Sequence, residues 1–157
     1  MDIVNAITQD ERDIRDLLDQ LRDNESDAEF LLASLRLRLT AHDIAQRVHL
    51  DAPLQHAEPA IEPLLRELHS AGQGSLLVLA DAEAAVGTSR FDDARSTFID
   101  TVLEHLARQQ SILVDAATRL LSPGQRRRLG KLFELRRLAE LEVHGTTDEG
   151  LSAEPTA

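Results

Sequence analysis

Three histidines of the chain are each followed by a glutamine four residues later. The pairs are His42–Gln46, His69–Gln73 and His105–Gln109. Residues four apart lie on one face of an α-helix, so both members of each pair can point in the same direction. Imidazole is a common ligand of zinc, iron and manganese, and amides both donate hydrogen bonds to and accept them from neutral imidazole. The pairs therefore predict either a metal site or a buried hydrogen-bonded layer.

Composition excludes several other classes of function. The chain has 157 residues, enough for one domain with a sizeable core. It contains no cysteine, which excludes disulfides, thiolate metal ligands and cysteine nucleophiles. A net charge of −11 disfavours nucleic acid and anionic membranes as partners. With no long apolar run and an acidic N-terminus, the sequence predicts a soluble cytoplasmic protein.

The periodicity of apolar residues indicates an all-α fold. Hydrophobic residues are 42% of the chain but aromatic residues only 3%, which suits helices built on Leu, Ile, Val and Ala. Pro53 is expected to end or bend the second helix. The third is expected to be one long helix, distorted near Gly72, with two shorter helices as the alternative. Ser122 and Gln125 have the spacing of a capping box at the start of the last helix. Short turns predict an up-down-up-down four-helix bundle over residues 1–144, with a short C-terminal helix and a disordered tail over 145–157. The predicted helices cover about 2–22, 27–49, 60–86, 91–121 and 123–142.

Helix geometry predicts which side chains share a height in such a bundle. Each residue advances about 1.5 Å along a helix, so residues equidistant from a turn face each other in an antiparallel pair. Mirroring His42 across the turn near residue 25 leads to within one helical turn of Glu11. Mirroring His105 across the turn near residue 88 leads to a position between His69 and Gln73. Glu11 and the three histidines are therefore expected to converge in one half of the interior.

Four stretches resemble the haemerythrin-like, HHE cation-binding domains. DIVNAITQDERDIRDLLDQL resembles the family's first helix, although Glu11 stands where the family has histidine. LTAHDIAQRVHLDAP and FDDARSTFIDTVLEHLARQQSIL resemble the helices that carry its two H-x-x-x-E motifs, which end in Gln46 and Gln109 here. LLSPGQRRRLGKLFELRR is similar to its C-terminal element. For the third-helix histidine, counting back from the fourth helix favours His69, whereas the local pattern favours Glu58.

This resemblance implies a metal centre between the helices. His42, His69 and His105 would supply nitrogen ligands and Glu11 a carboxylate, with the glutamines as weak ligands or supporting groups. The metal would be iron, mononuclear or in an atypical pair, or else zinc or manganese. Such a centre would bind a diatomic ligand, and the protein would handle or sense iron, oxygen or reactive species.

Two further expectations complete the functional prediction. The alternative to a metal-binding protein is a metal-free structural or protein-interaction module that keeps the bundle. Nothing in the sequence supplies a substrate pocket or an acid–base pair, so a binding protein is favoured over an enzyme. The basic stretch 126–137 either docks a protein partner or forms an exposed helix face paired with neighbouring acids.

Overall fold

The computed structural model describes the backbone of residues 1–150 and the side chains of residues 1–145. Every regular element in this part of the chain is helical, which confirms the predicted all-α class. A π-helical turn at Arg47–Asp51 joins the second helix to the third, and a 3₁₀ turn at Pro59–Ile61 precedes the fourth. The helices are α1 Ile3–Asp23, α2 Ala28–Gln46, α3 Ala52–Ala57, α4 Glu62–Ala85, α5 Phe91–Leu120 and α6 Pro123–Gly150.

Pro53 does not end the second helical segment. The chain stays helical from α2 through the π turn and on to Ala57, with Pro53 as the second residue of α3. Proline has no backbone N–H and its ring crowds the carbonyl four residues earlier, at His49. The wider turn at Arg47–Asp51 lies at this point, and such single π turns are a common way for a helix to absorb a local misfit.

The region of Gly72 and Gly74 is one uninterrupted helix. α4 runs from Glu62 to Ala85, which confirms the single long helix and not the divided one. A Cβ atom on Gly72 would lie 3.4 Å from Nε2 of His105, whereas one on Gly74 would meet nothing within 4 Å. Gly72 therefore lets the imidazole of α5 approach the backbone of α4 closely.

The α5–α6 connection forms the predicted capping box. The backbone N–H of Gln125 donates to Ser122 Oγ at 3.3 Å, and the backbone N–H of Ser122 donates to Gln125 Oε1 at 2.8 Å. α6 continues to Gly150, beyond the predicted end near residue 142 and into the predicted tail. Gly145 costs a helix only about 1 kcal/mol and does not stop it. The rest of the predicted tail, residues 151–157, lies outside the described residues.

Pairwise contacts connect four of the helices in a closed cycle. α1 packs against α2 and α5, and α4 packs against the same two helices. α6 lies against both α1 and α2. Its close approach requires Gly130, since a Cβ atom there would come within 2.8 Å of the backbone nitrogen of Ile3.

The buried apolar side chains form two separate clusters. One contains Ile14 and Leu18 of α1 together with Phe98 of α5, and the other contains Ile3 and Ile7 at the opposite end of α1. Each cluster draws on α1, α2, α4 and α5. The apolar packing of the interior is therefore interrupted between the two clusters. Among the described residues, no helix combines the length and apolar character that a membrane crossing requires.

Candidate functional site

Polar side chains occupy the interval between the two apolar clusters. Five of them, which we call the polar layer, are almost fully buried. They are Asp10, Glu11, His42, Gln46 and Gln109. On α1 the layer falls between Ile7 of one cluster and Ile14 of the other, and on α5 it falls between Leu106 and Leu113. The predicted common height of Glu11 and His42 thus agrees with their positions in the fold.

His42 is the centre of the polar layer. Its Nδ1 lies 2.7 Å from Oδ2 of Asp10, and its Nε2 lies 2.9 Å from Nε2 of Gln109. The edge of its ring meets Phe133 of α6 in a T-shaped contact with 6.0 Å between ring centroids. In the neutral imidazole, Nδ1–H donates to the carboxylate and Nε2 accepts from the amide. Both ring nitrogens therefore have protein partners.

The pKa of His42 is set by two opposing effects. Burial favours the neutral ring, but the hydrogen bond and the negative charge of Asp10 outweigh it and raise the pKa above 6.5. Glu11 and Asp43 act in the same direction. Protonation would place an N–H at Nε2 against the amide of Gln109, so the amide would have to rotate. The charge state of His42 is thereby coupled to the rest of the layer.

Asp10 connects the layer to α6. Its Oδ1 lies 3.5 Å from Nη1 of Arg137, and the other guanidinium nitrogen of Arg137 is 3.1 Å from Glu134. Both members of the Asp10–Arg137 pair are shielded from solvent, so water weakens their attraction less than it would on the surface. A helix outside the ring of four thus helps to hold the carboxylate that orients His42.

Gln46 and Gln109 bond to each other. Nε2 of Gln109 donates to Oε1 of Gln46, and the same amide contacts His42. The result is a continuous chain of contacts from Asp10 through His42 and Gln109 to Gln46.

Glu11 is buried without a partner. Its side chain is only 1% exposed, and neither carboxylate oxygen has a hydrogen bond. Burial raises its pKa from an ordinary 4.5 to about 7, with opposing effects from the charges of His42 and Arg15. This is the least satisfied side chain of the layer.

His105 faces α4. Its ring lies against Gly72, and its buried Nδ1 has no hydrogen-bond partner. Burial lowers its pKa, and the nearby charge of His42 lowers it further. His105 is therefore held in the neutral form, next to the polar layer and within reach of Gln109, whose hydrogen bond opposes the fall in its pKa.

Of the two candidates for the third-helix position, Glu58 is paired with Arg119, whereas His69 lies near Asp43 without a hydrogen bond at its Nδ1. Nδ1 of His69 is 3.5 Å from Oδ1 of Asp43, and a third of the His69 side chain remains exposed. Glu58 forms an ion pair with Arg119, with 3.0 Å between Oε2 and Nη2. His69 lies on the stretch of α4 between the two apolar clusters, whereas Glu58 precedes that helix.

The predicted inward orientation of the glutamines is correct for two of the three. Gln46 and Gln109 are buried, whereas Gln73 is exposed, so its expected role beside the ligands is wrong. Gln73 is one residue beyond Gly72, and this turn of α4 presents the glycine to the interior. Within residues 1–145, no three histidine, aspartate or glutamate side chains are grouped closely enough to hold a metal ion.

Three contributors to the site were missed at the sequence level. Asp10 lies three residues after Ile7 and four before Ile14, so its place on the apolar stripe of α1 was a usable signal. Asp51 lies in the π turn at Arg47–Asp51 and forms a hydrogen bond with Gln46 of the polar layer. Burial raises its pKa to about 7, and the charge of Asp43 adds to the effect. Arg137 carried no such signal, because only the docking of α6 brings it to the layer.

The chain matches no protein-family model, no curated protein and no solved structure.

Proposed function

We propose that this chain is a metal-free structural or protein-interaction module with a haemerythrin-like helix bundle. Hydrogen bonds between buried side chains take the place of the family's metal centre. The observation that carries the proposal is the chain of contacts Asp10–His42–Gln109–Gln46. Each member of it is buried and contacts at least one other member. Buried polar groups that are hydrogen-bonded to each other help to fix the register of the helices that contribute them.

The proposal includes the up-down-up-down arrangement of α1, α2, α4 and α5. Support comes from the ring of pairwise contacts and from the short connections at residues 24–27 and 86–90. Short connections favour antiparallel neighbours. The capped α6, packed across α1 and α2, corresponds to the C-terminal element that the sequence resemblance implies.

A two-metal centre of the haemerythrin kind does not fit this set of side chains. Bridging carboxylates offset much of the charge of two divalent ions, and neutral amides at residues 46 and 109 do not. Those amides are also bonded to each other, and His42 has a partner on each ring nitrogen.

A single divalent ion is the second candidate. It is favoured by the two unpaired oxygens of Glu11 and the unpaired Nδ1 of His105. Together with His42 and His69, these side chains are the ligand set that the sequence predicts. Carboxylate and imidazole suit iron, zinc or manganese, and a diatomic ligand and the sensing of reactive species belong to this candidate alone.

Elemental analysis separates the two candidates. Untagged protein is incubated with Fe²⁺, Mn²⁺ or Zn²⁺, desalted, and analysed for metal content and melting temperature. The metal-free proposal predicts less than roughly 0.1 equivalent of each metal and an unchanged melting temperature, because an ion that binds only the folded state must raise it. Stoichiometric metal would overturn the proposal.

Single substitutions show where any bound metal resides. If metal is retained, His42→Ala and His105→Ala should each abolish it under the single-ion candidate. His56→Ala, at an exposed position on α3, is the matched control. Metal that survives both core substitutions would contradict the predicted ligand set as well.

The remaining functional expectations belong to the same proposal. A binding role without catalysis, a cytoplasmic location and the absence of nucleic-acid or membrane partners rest on composition and charge. A protein partner at residues 126–137 is taken further in the next section, because the exposed face of α6 has features of its own.

A further inference from the structure

The outward face of α6 presents large apolar side chains to solvent. Leu132, Leu135 and Leu138 are 40%, 66% and 54% exposed, whereas Leu129 and Phe133 on the opposite side of the helix are buried. The three exposed leucines recur at intervals of three residues, so they form a stripe along one side of the helix. A stripe of this kind is a recognised mark of a protein contact surface.

The same helix carries an unusual share of the positive charge. Residues 126–137 hold six of the 17 lysines and arginines and a single acid, in a chain of net charge −11. Arg128 and Lys131 are exposed and form no ion pair with the described part of the chain. Two copies of so acidic a chain repel each other over most of their surfaces, and this repulsion is weakest where the α6 faces meet.

The stripe is symmetric about Leu135. Leu132 and Leu138 lie three residues before and after it, and Arg128 and Glu142 lie seven residues before and after it. In an antiparallel helix pair centred on Leu135, a residue that precedes Leu135 in one copy faces the residue that follows Leu135 by the same number of positions in the other copy. Leu135 then meets Leu135 of the second copy, Leu132 meets Leu138, and Arg128 meets Glu142. Opposite charges or apolar groups therefore meet at each of these three pairings.

We propose that the chain forms a homodimer through antiparallel pairing of α6 with α6 of a second copy, about a two-fold axis at Leu135. The contact from Arg128 to Glu142 is about 21 Å long at 1.5 Å per residue. It is isologous, so two copies complete it and no open surface remains to propagate a filament.

This inference is independent of the polar layer. The leucines of the stripe point away from the interior, and none of them belongs to either core cluster. The dimer can therefore fail while the metal-free proposal stands, and the reverse also holds. One helix pair buries less than the roughly 1,600 Å² of a standard interface, so we expect a weak dimer whose population depends on concentration.

Sedimentation equilibrium of the full chain tests the dimer. Between about 1 and 500 µM, the mass should rise from 17.4 kDa towards twice that value. Leu135→Asp places two carboxylates on the two-fold axis and should weaken association by at least about tenfold. Leu77→Asp changes a leucine of α4 that is 70% exposed and should leave the association unchanged. Circular dichroism confirms that both variants are folded.

Charge exchange tests the register. Arg128→Glu alone and Glu142→Arg alone each bring like charges together in the homodimer, so each variant should dimerise less than the wild type. Mixed in equal amounts, the two variants offer only opposite charges across the axis and should form a heterodimer.

Three results would contradict the proposed dimer or its register. A chain that stays monomeric at 500 µM overturns the proposal, as does a dimer that survives Leu135→Asp. A mixture of the two charge variants that dimerises no better than each alone overturns the antiparallel register.

Discussion

Replacing Glu11 with glutamine should make the protein more stable at alkaline pH and leave it nearly unchanged at acidic pH. Glu11 is buried with both oxygens unpaired, and its pKa is raised from 4.5 to about 7 by burial. The glutamine has nearly the same shape but no charge. The substitution therefore removes the cost of ionising this side chain inside the fold.

The magnitude follows from the pKa difference. One pKa unit corresponds to about 1.4 kcal/mol, so a rise from 4.5 to about 7 means that ionised Glu11 costs the fold about 3 kcal/mol. Below pH 4.5 the carboxyl is protonated in both states and nothing is lost. As the pH rises, the unfolded chain loses the proton first, so stability falls and the full cost is present above pH 7. Glu11→Gln should therefore gain up to about 3 kcal/mol at pH 8 and less than about 1 kcal/mol at pH 5.

The assay is urea unfolding followed by far-ultraviolet circular dichroism, because the chain contains neither Trp nor Tyr. Chelator-treated protein keeps metal out of the comparison. Glu104→Gln, at an exposed position on α5, is the control and should show no pH-dependent gain. An equal effect of Glu11→Gln at pH 5 and pH 8 would refute the reasoning, since it would mean that the carboxyl ionises as readily in the fold as in the unfolded chain.

Four further substitutions test the packing, the polar layer and the α6 cap. Gly130→Ala should destabilise the fold by about 1–3 kcal/mol, because the added carbon meets the backbone of the N-terminal segment. Gly74→Ala, which meets nothing, should stabilise the fold by about 0.5–1 kcal/mol. Urea unfolding measures both, and equal effects would contradict the close approach of α6. Asp10→Asn should lower the pKa of His42 in an NMR titration, since burial is then opposed only by the charges of Glu11 and Asp43, and an unchanged pKa would remove Asp10 as the cause of the rise. Ser122→Ala should cost about 1 kcal/mol in urea unfolding through loss of the α6 cap, and no loss would show that Pro123 suffices to start the helix.

Local patterns in the sequence predicted the helices well. Apolar periodicity, the Ser122–Gln125 capping box and the turn before Phe91 depend on residues close together in the chain, and each is present in the structure. Of the two expected effects of Pro53, an end of the helix is absent, because the π turn at Arg47–Asp51 lets the chain continue as helix. The end of α6 was misjudged because a single glycine is a weak helix breaker.

The heights of the site residues along their helices could be predicted from the sequence, but the directions of their side chains could not. Helical rise alone gave the common height of Glu11 and His42, because height follows from counting residues. The direction of a side chain around its helix axis depends on how the helices are rotated against each other. Gln73 was therefore expected inside and is exposed, while Gly72 takes the interior position.

By itself, the sequence determined the all-α class, the extent of most helices and the presence of a polar interruption in their apolar faces, since these follow from spacing along one chain. Tertiary structure alone decided that Asp10 and Gln109 share His42, that Glu11 has no partner, and that Arg137 reaches the layer from α6. Those facts depend on which helices pack together and at what rotation. That choice is made by the burial of the whole core, and no local stretch of sequence encodes it.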